Sequence, residues 1–584
     1  MENEEVIKFA RMCVDLGRDF PAAVEVPLIP SRHIATYRLL PKVHATVVEP
    51  ERQAHAEAAA RTGFTFSSDG FTDIQGNKLF NNVQSDALGS IFSCVTTHPL
   101  EASTAEVICQ DFQNALGVMP GGVRDCIVIC ADGAAVNTAA VSKLKEDPKY
   151  KHIAHIVCTS HSSDLALDDF GKIPVFKDML NAAYPLIRLF SNRGLAHGVF
   201  RLVSPKRKSI SYNDTRFGTH IMAMQRLYEL RAELRKTVEN DIFIAWASKQ
   251  RDKADISSMV ALITSNEQFW RTLKAFGDVT DPVFTLLRRA DSAEPGSICD
   301  IFPLAAKVTY DIANINLDGL AVPAADVRKE LLNSWEARRA VMIKDIHCAA
   351  YAMSPSYMLA AHYDKFPPYL KISDRRFLVD NARRYLQLTY FHDNFAEADT
   401  VADALASLST SQGNFEVEQN LLKQLRVHAA SPRKFWLQYG STCIPLNDVA
   451  SRVCTQISSS SATERIWSHY DFILNKRRNR LSPRRAEMLV QIFAVCATRR
   501  ARKRAAARAK AALDSGVPAW PQLFCEAEDD DIEGEADEES VALKIAREAA
   551  SDIAAAAAAA AATASSAAAD AAAAAAATAI SLDD

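Results

Sequence analysis

Ser458-Ser-Ser-Ser-Ala-Thr-Glu464-Arg-Ile-Trp-Ser-His-Tyr-Asp-Phe-Ile-Leu-Asn-Lys-Arg-Arg-Asn-Arg-Leu481 sets one acidic residue at the start of a helical pattern and a basic cluster at its end. Ile466, Tyr470, Ile473 and Leu474 recur at helical spacing, which predicts an amphipathic helix with Glu464 in its first turn. The small, polar run before it predicts a loop. Two roles for Glu464 are open. Ser461-Ala-Thr-Glu464 fits the S-x-x-E capping box, in which the glutamate accepts from an orphan backbone N–H. Alternatively the carboxylate serves chemistry next to a phosphate-binding block.

The rest of the chain narrows the choice. Its 584 residues, 48% hydrophobic, suffice for several domains and a large core. A formal net charge of -4 argues against a simple polyanion binder, but the charge is unevenly spread. Between Lys476 and Lys510 basic residues dominate, in Lys476-Arg-Arg-Asn-Arg480, Arg484-Arg485 and Arg499-Arg-Ala-Arg-Lys-Arg504, with Glu487 the only acid. Such a block suits phosphate contact or nuclear import. From Glu526 to Glu539 the sign reverses, and from Ala554 onward alanine runs take over. The 12 cysteines show no paired C-x-x-C spacing, and the start Met-Glu-Asn-Glu-Glu is not a secretory signal, so reduced intracellular thiols are predicted. No apolar stretch is long and lipophilic enough to span a bilayer, the polyalanine run being weakly hydrophobic and interrupted, so a soluble protein without a membrane partner is predicted.

Residues 1–62 are broken by Pro21, Pro27, Pro30 and Pro41 and predict an extended lead-in. From 63 to 174 strand patterns emerge at Phe64 to Ser68, Leu88 to Thr96, Cys126 to Ala131 and Ile153 to Cys158, with helical stretches near Glu101 to Leu116 and Ala134 to Lys145. This alternation predicts a mixed α/β sheet covered by helices. Asp132 then falls at the carboxyl edge of a strand, where such sheets hold ligands. Residues 175–430 are helical throughout and predict an all-α insertion. Residues 431–497 would complete the sheet domain, followed by a basic linker at 498–525 and an acidic, Ala-rich tail at 526–584.

The opening stretch resembles the C-terminal signature of the hAT superfamily of cut-and-paste DNA transposases, through Ser-Ser-Ser-Ala-Thr-Glu464-Arg465-Ile-Trp467-Ser468 and Lys476-Arg-Arg-Asn-Arg480-Leu481. Pro432-Arg-Lys-Phe-Trp436-Leu-Gln-Tyr-Gly440, with Ala450 and Cys454 after it, resembles the start of the same dimerisation region. Phe64-Thr-Phe-Ser-Ser-Asp69-Gly-Phe-Thr-Asp73 resembles the first acidic strand and Cys126-Ile-Val-Ile-Cys-Ala-Asp132-Gly-Ala-Ala-Val-Asn137 the second, with Cys158 and His161 following. Thr215-Arg216-Phe217 and Ala349-Ala-Tyr351-Ala-Met-Ser-Pro355-Ser-Tyr357 resemble motifs of the helical region. The resemblance covers roughly Gly63 to Ala497 and departs from the family at Phe71, usually tryptophan, and Gly133, usually asparagine. It implies a fold of α/β plus α: a ribonuclease H-like mixed sheet interrupted by a large all-helical insertion. A BED zinc finger that commonly precedes this core and reads transposon ends is not found here, which leaves open a separate DNA-reading partner.

By the same resemblance the reaction is metal-dependent excision and rejoining of double-stranded DNA by a homodimer or higher homo-oligomer in the nucleus. Phosphodiester cleavage requires an activated attacking oxygen and a neutralised leaving oxygen, which two Mg2+ (or Mn2+) ions about 3.5–4 Å apart on carboxylates supply. The expected catalytic and metal-binding set is Asp69, Asp132 and Glu464. Against it, Asp69-Gly70 and Asp132-Gly133 are strong turn signals, and Asp73 competes with Asp69. Cys158 and His161 lack a second Cys/His pair, so zinc is not expected and a structural role is. Arg216 and Phe217 are candidate DNA contacts, the ring by stacking on an unpaired base, with an ordinary buried phenylalanine the alternative. Trp467 reads as core packing, and Lys476, Arg477, Arg478 and Arg480 as DNA-backbone contacts, with a solvated helix face or an import signal the alternative. The rival to an enzyme is a domesticated, non-catalytic DNA-associated or dimerisation protein.

Overall fold

The structure, a computed structural model, describes residues 35–72, 78–98, 104–192, 194–205, 217–292, 294–410, 419–429, 431–440, 446–473 and 482–515. The chain divides into two compact units, one of His55–Arg465 and one that brings together Met1–Ala54 and Ile466–Asp584.

Five strands build the sheet of the larger unit: β1 Phe64–Thr72, β2 Lys78–Asp86, β3 Gly89–His98, β4 Cys126–Ala131 and β5 Ala154–Val157, in the order β3-β2-β1-β4-β5. The first three form an antiparallel meander, and β4 and β5 extend it in parallel from β1. Parallel neighbours need crossovers, and helices supply them. Helix α1, Leu40–Thr62, leads into β1; α2, Ala105–Val118, joins β3 to β4; α3, Ala135–Leu144, joins β4 to β5. Gly63 links α1 to β1 with φ +64, and a Cβ there would stand 2.3 Å from Cγ1 of Ile127, so glycine alone fits this junction.

Strand alternation sends Phe64, Phe66 and Ile129 to one face, where they pack on Ile108, Phe112 and Leu116 of α2 and Val141 and Leu144 of α3. Phe66 meets Phe112 edge to face at 5.5 Å. Val128, Cys130 and Ile156 go to the other face, against Phe302, Ile346, Tyr351, Trp436, Val449 and Cys454. The mixed sheet covered by helices is therefore as the sequence predicts. One strand is not: β2, Lys-Leu-Phe-Asn-Asn-Val-Gln-Ser-Asp, is too amide-rich to read as a strand, yet it is mostly buried. Several of its polar groups find partners, some of them distant in the chain. Gln84 donates to the His55 carbonyl at 3.2 Å and to Asp86 at 2.8 Å while accepting from Gly121 N, and Asp86 pairs with buried His55 at 2.7 Å.

Helices α4 Thr159–Lys172, α5 Phe217–Glu229 and α6 Glu267–Asp291 belong to the long helical stretch. Its apolar residues divide between two clusters. Residues from Ala166 to Met342, including Trp270, Phe276 and Trp335, form a purely helical core. Ile298, Cys299, Phe302 and the buried residues from Ile346 to Cys454 instead join the sheet. The chain then returns as an extended, buried segment: Thr65 Oγ1 donates to Gln456 Oε1 at 2.9 Å, Gln456 Nε2 donates to the Thr62 carbonyl at 3.1 Å, and Thr159 N donates to the Ser458 carbonyl at 2.9 Å. Helix α7, Ser461–Ile473, follows, then α8, Pro483–Ser515. Two expected irregular stretches are helical instead. Helix α1 occupies the end of the lead-in and continues through Pro50, and α8 runs into the basic linker. Within the smaller unit Val47 and Val48 pack on Val495 and Cys496, and Glu51 pairs with Arg499 at 2.9 Å and Arg502 at 3.2 Å. Among the described residues no helix is long and apolar enough to cross a membrane, and the nine described cysteines are free.

Burial of uncharged histidines makes the larger unit acid-sensitive. His347 accepts from Lys344 N, and burial pushes its pKa from 6.5 down to about 3; burial, aided by the charges of Lys344 and Lys145, pushes His155 down to about 4. The unfolded chain takes up protons near pH 6.5 that the folded chain refuses, so unfolding free energy falls as pH drops from about 6.5 towards 4. Urea titrations across that window should show the fall, and His155→Gln with His347→Gln should flatten it; an unchanged slope in the double variant would contradict this origin.

Candidate active site

The β1–β4 register sets the site. Thr65 pairs with Val128, Phe66 with Ile129 and Ser67 with Cys130. Two residues beyond the last β1–β4 pair, Asp69 lies within β1, three residues before its end, and Asp132 directly follows β4. Alternation puts both on the face of Thr65 and Ser67. On the other side of β1, Asp69 stands directly opposite Asn81 of β2. The returning segment crosses this face from Gln456, bonded to Thr65, to Thr463, whose carbonyl accepts from Asn81 Nδ2 at 3.4 Å. Glu464 is the next residue. The fold thus puts Asp69 and Asp132 on one face of neighbouring strands and Glu464 next to the residue that Asn81 contacts, each half-buried.

Their local settings differ. Asp132 Oδ1 accepts from Ala134 N at 3.1 Å and from the Asn137 amide. Ala134 precedes α3 and has no side-chain cap to offer, so the aspartate organises the start of that helix. The Asp-Gly turn reading of Asp132 is to that extent correct. Helix α7 begins at Ser461, so the residue three beyond its N-cap is Thr463, which bonds to the Ser460 carbonyl through both N and Oγ1. Glu464 lies one position past the place a capping-box glutamate would take. Among the described residues, no group of three or more His, Cys, Asp or Glu side chains stands close enough together to hold a metal ion.

Cys158 immediately precedes α4 and is buried, while His161 is exposed. The Cys158 sulfur accepts from Ser460 N at 3.3 Å, which ties the end of β5 to the segment carrying Glu464. A hydrogen bond from Cys130, with others from Ser460 and His161, holds the Cys158 thiol down to about 6 against burial. Burial and the neighbouring Cys158 push Cys130 well up. Around this edge lie buried polar atoms without a hydrogen-bond partner: Ser67 Oγ, Asn81 Oδ1, Thr159 Oγ1 and Ser458 Oγ.

One turn along α4, Asp164 Oδ1 accepts from Gly218 N at 2.9 Å and anchors the start of α5 directly after Phe217. Arg216 and the Phe217 side chain lie outside the described residues, as do Asp73, Lys476, Arg477, Arg478 and Arg480. Trp467 is buried, its ring 5.9 Å from that of Tyr470, in keeping with core packing. Sequence reasoning missed Asn81 and Gln456. Asn81 sits on the strand that the pattern does not show, and nothing in the sequence marks Gln456 as the link to β1.

Two family models match the chain: a domain of unknown function (DUF659) over residues 30–185, and the hAT family C-terminal dimerisation region over residues 415–494. The first spans the strands that carry Asp69 and Asp132, and the second contains Glu464. No curated protein matches the chain significantly.

The double role of Asp132 is separable by substitution. Asp132→Asn keeps an acceptor for Ala134 N and should leave stability within about 0.5 kcal/mol, whereas Asp132→Ala should lose about 1–2 kcal/mol in urea unfolding. Equal stability of the two variants would show that the start of α3 does not depend on this side chain.

Proposed function

For a chain related to the hAT transposases at both ends of its core, we propose metal-dependent cut-and-paste cleavage and strand transfer of double-stranded DNA. The observation that supports this reading is that Asp69 and Asp132 share one face of neighbouring strands and Glu464 directly follows the residue bonded to Asn81. Asp69 comes from within β1, Asp132 from the end of the adjacent β4, and Glu464 from a helix tethered to Asn81, opposite Asp69. Supporting a ribonuclease H-like core are the strand order 3-2-1-4-5, the antiparallel second strand and the parallel fourth and fifth.

By chemical type, though not by clustering among the described residues, the donors suit the ions this chemistry uses. Carboxylate oxygens suit Mg2+ or Mn2+, and the unpartnered, buried Ser67 Oγ and Asn81 Oδ1 add hard oxygen acceptors for bound water. Asp69, Asp132 and Glu464 would hold two such ions, which when bound polarise the phosphate and activate the attacking oxygen. The chain's own contribution would be placement: β1 and β4 set two carboxylates by register, and the Cys158–Ser460 and Asn81–Thr463 bonds hold the segment that precedes the third. The basic run from Lys476 to Lys510 would contact DNA backbone and direct nuclear import, and the matched C-terminal region supports a homodimer or larger assembly.

A second reading, a non-catalytic DNA-associated or dimerisation protein, draws on two facts: the acids do not converge as a ligand cluster among the described residues, and Asp132 already serves the start of α3. Incubating intact and pre-nicked duplex DNA with the protein in Mg2+ or Mn2+ separates the readings. Cleavage that disappears in Asp69→Asn, Asp132→Asn and Glu464→Gln, with DNA binding kept, is expected; dimerisation without metal-dependent cleavage would favour the second reading. In binding titrations log affinity should fall linearly with log salt, and alanine at Lys476, Arg477, Arg478 and Arg480 should make the slope shallower by about 0.9 for each phosphate no longer neutralised. A slope unmoved by the fourfold variant would remove this cluster from the DNA interface.

A further inference from the structure

Ser-Pro occurs at four places in the chain, Ser204, Ser354, Ser431 and Ser482, and at three of them basic residues follow: Ser204-Pro-Lys-Arg207, Ser431-Pro-Arg-Lys434 and Ser482-Pro-Arg-Arg485. A serine followed by proline, with cations two and three places on, carries the pattern that proline-directed protein kinases select. The fold separates these similar sequences. Ser204 is 6% exposed, and its N–H donates to the Phe200 carbonyl at 2.8 Å. Ser354 is 1% exposed, and its Oγ accepts from Tyr357 N at 3.3 Å. Ser431 is half-buried and held through both backbone groups: its N–H donates to the His428 carbonyl, its carbonyl accepts from Phe435 N, and Pro432 beside it is buried. Ser482 alone of the four is exposed. It stands directly before α8, where its carbonyl accepts from Arg485 N at 2.9 Å and Ala486 N at 3.0 Å, so it caps that helix. Helix ends open at little cost, which lets the Ser-Pro-Arg-Arg stretch reach the extended form a kinase cleft takes. Arg484 is exposed, whereas Arg485 lies over the Tyr37 ring at 4.2 Å.

We propose that Ser482 is a phosphorylation site for a proline-directed kinase, and that its phosphate weakens the neighbouring basic cluster as a DNA contact; the second half rests on the DNA-backbone reading of that cluster. In the transfer, Ser482 Oγ forms a bond to the γ-phosphorus of Mg-ATP, the bond from that phosphorus to the β,γ-bridging oxygen breaks, the hydroxyl proton passes to the kinase's catalytic aspartate, and ADP leaves. The product suits its place. A phosphoserine carries about −1.5 to −2 charges at pH 7 and three acceptor oxygens, which the positive end of α8 and the cation of Arg484 stabilise. The same charge stands two residues from Arg480 and six from Lys476, where it offsets about two cations that would otherwise face DNA phosphates.

The test begins with the full chain, Mg-ATP and a proline-directed kinase of the cyclin-dependent class, with phosphate located by peptide mass spectrometry. Phosphate should enter Ser482 about tenfold or more faster than Ser204, Ser354 or Ser431. Short synthetic peptides around Ser204, Ser431 and Ser482 should react at similar rates, since in them the fold no longer chooses. Equal entry at Ser204 or Ser431 of the folded chain, or none at Ser482, overturns the site. Binding to duplex DNA is then measured before modification, after it, and after phosphatase treatment. Phosphorylation should weaken binding about tenfold or more at about 0.1 M salt and make the salt slope shallower by about 0.9 for each cation offset. Phosphatase should restore both, and kinase-treated Ser482→Ala should bind as the unmodified chain does. Unchanged affinity after phosphorylation at Ser482 overturns the control of DNA contact and leaves the DNA-backbone reading standing. Absence of DNA binding by the unmodified chain overturns that reading together with the control, and the phosphate map still decides the site.

Discussion

Gln456 uses its amide to close the larger unit. Its oxygen accepts from Thr65 Oγ1 on β1, and its nitrogen donates to Thr62 at the end of α1 and to the Arg452 carbonyl. The residue is 0% exposed, so each of these groups would be stranded without the others, at about 1–3 kcal/mol apiece. The direction of the bonds fixes the path of the chain across the sheet. With Ile457 N donating to Thr65 Oγ1 and Thr159 N to Ser458 O, the segment has one register against β1 and the end of β5. Glu464 is placed by that register.

A connection of this kind explains how so large a helical region can be inserted between the strands and the last acid. The entropy of closing a loop grows only logarithmically, by about 0.6 kcal/mol for each doubling, so a long insertion is tolerated if its ends are firmly held. Here both ends are. Asp125 pairs with half-buried Arg452 at 2.8 Å just before β4 begins, and Cys158 receives Ser460 N just after β5 ends. The inserted helices from Ala166 to Met342 meanwhile carry their own core around Trp270 and Trp335, and so need little from the sheet to be stable.

How much of this was legible in the sequence depended on where each group's partner lies. Strands β1 and β4 are readable because their patterns are local: alternation in Phe64 to Ser68, and a short apolar run ending at Asp132. The helix after Glu464 is readable from Ile466, Tyr470 and Ile473 for the same reason. Strand β2 is not, because Asn81, Gln84 and Asp86 look like loop residues until Thr463, Gly121 and His55 arrive from elsewhere in the chain. Helical period likewise marks Phe302 and Trp335 as core without saying that one joins the sheet and the other a separate cluster. At the site, the carboxylates were identifiable by type and order, whereas the tether that sets the third and the helix-start duty of Asp132 came only with the fold. Pro41 misled in the opposite sense: read as a breaker, it stands in the first turn of α1, which also continues through Pro50.

The Thr65–Gln456 bond spans 391 residues, which gives the chain a history during synthesis. At about 5–20 residues per second, roughly 20–80 s separate the emergence of Thr65 from that of its partner. Throughout that interval the face bearing Thr65, Ser67 and Cys130 lacks the Gln456–Ser460 segment, although Phe302, Ile346 and Tyr351 reach it earlier and the opposite face has already met α2 and α3. The half-built sheet is therefore exposed to other chains for longer than most single cores, and a chaperone that occupies that one face would meet a need written into the order of the elements. The same delay leaves Glu464 to be made only after nearly all of the core.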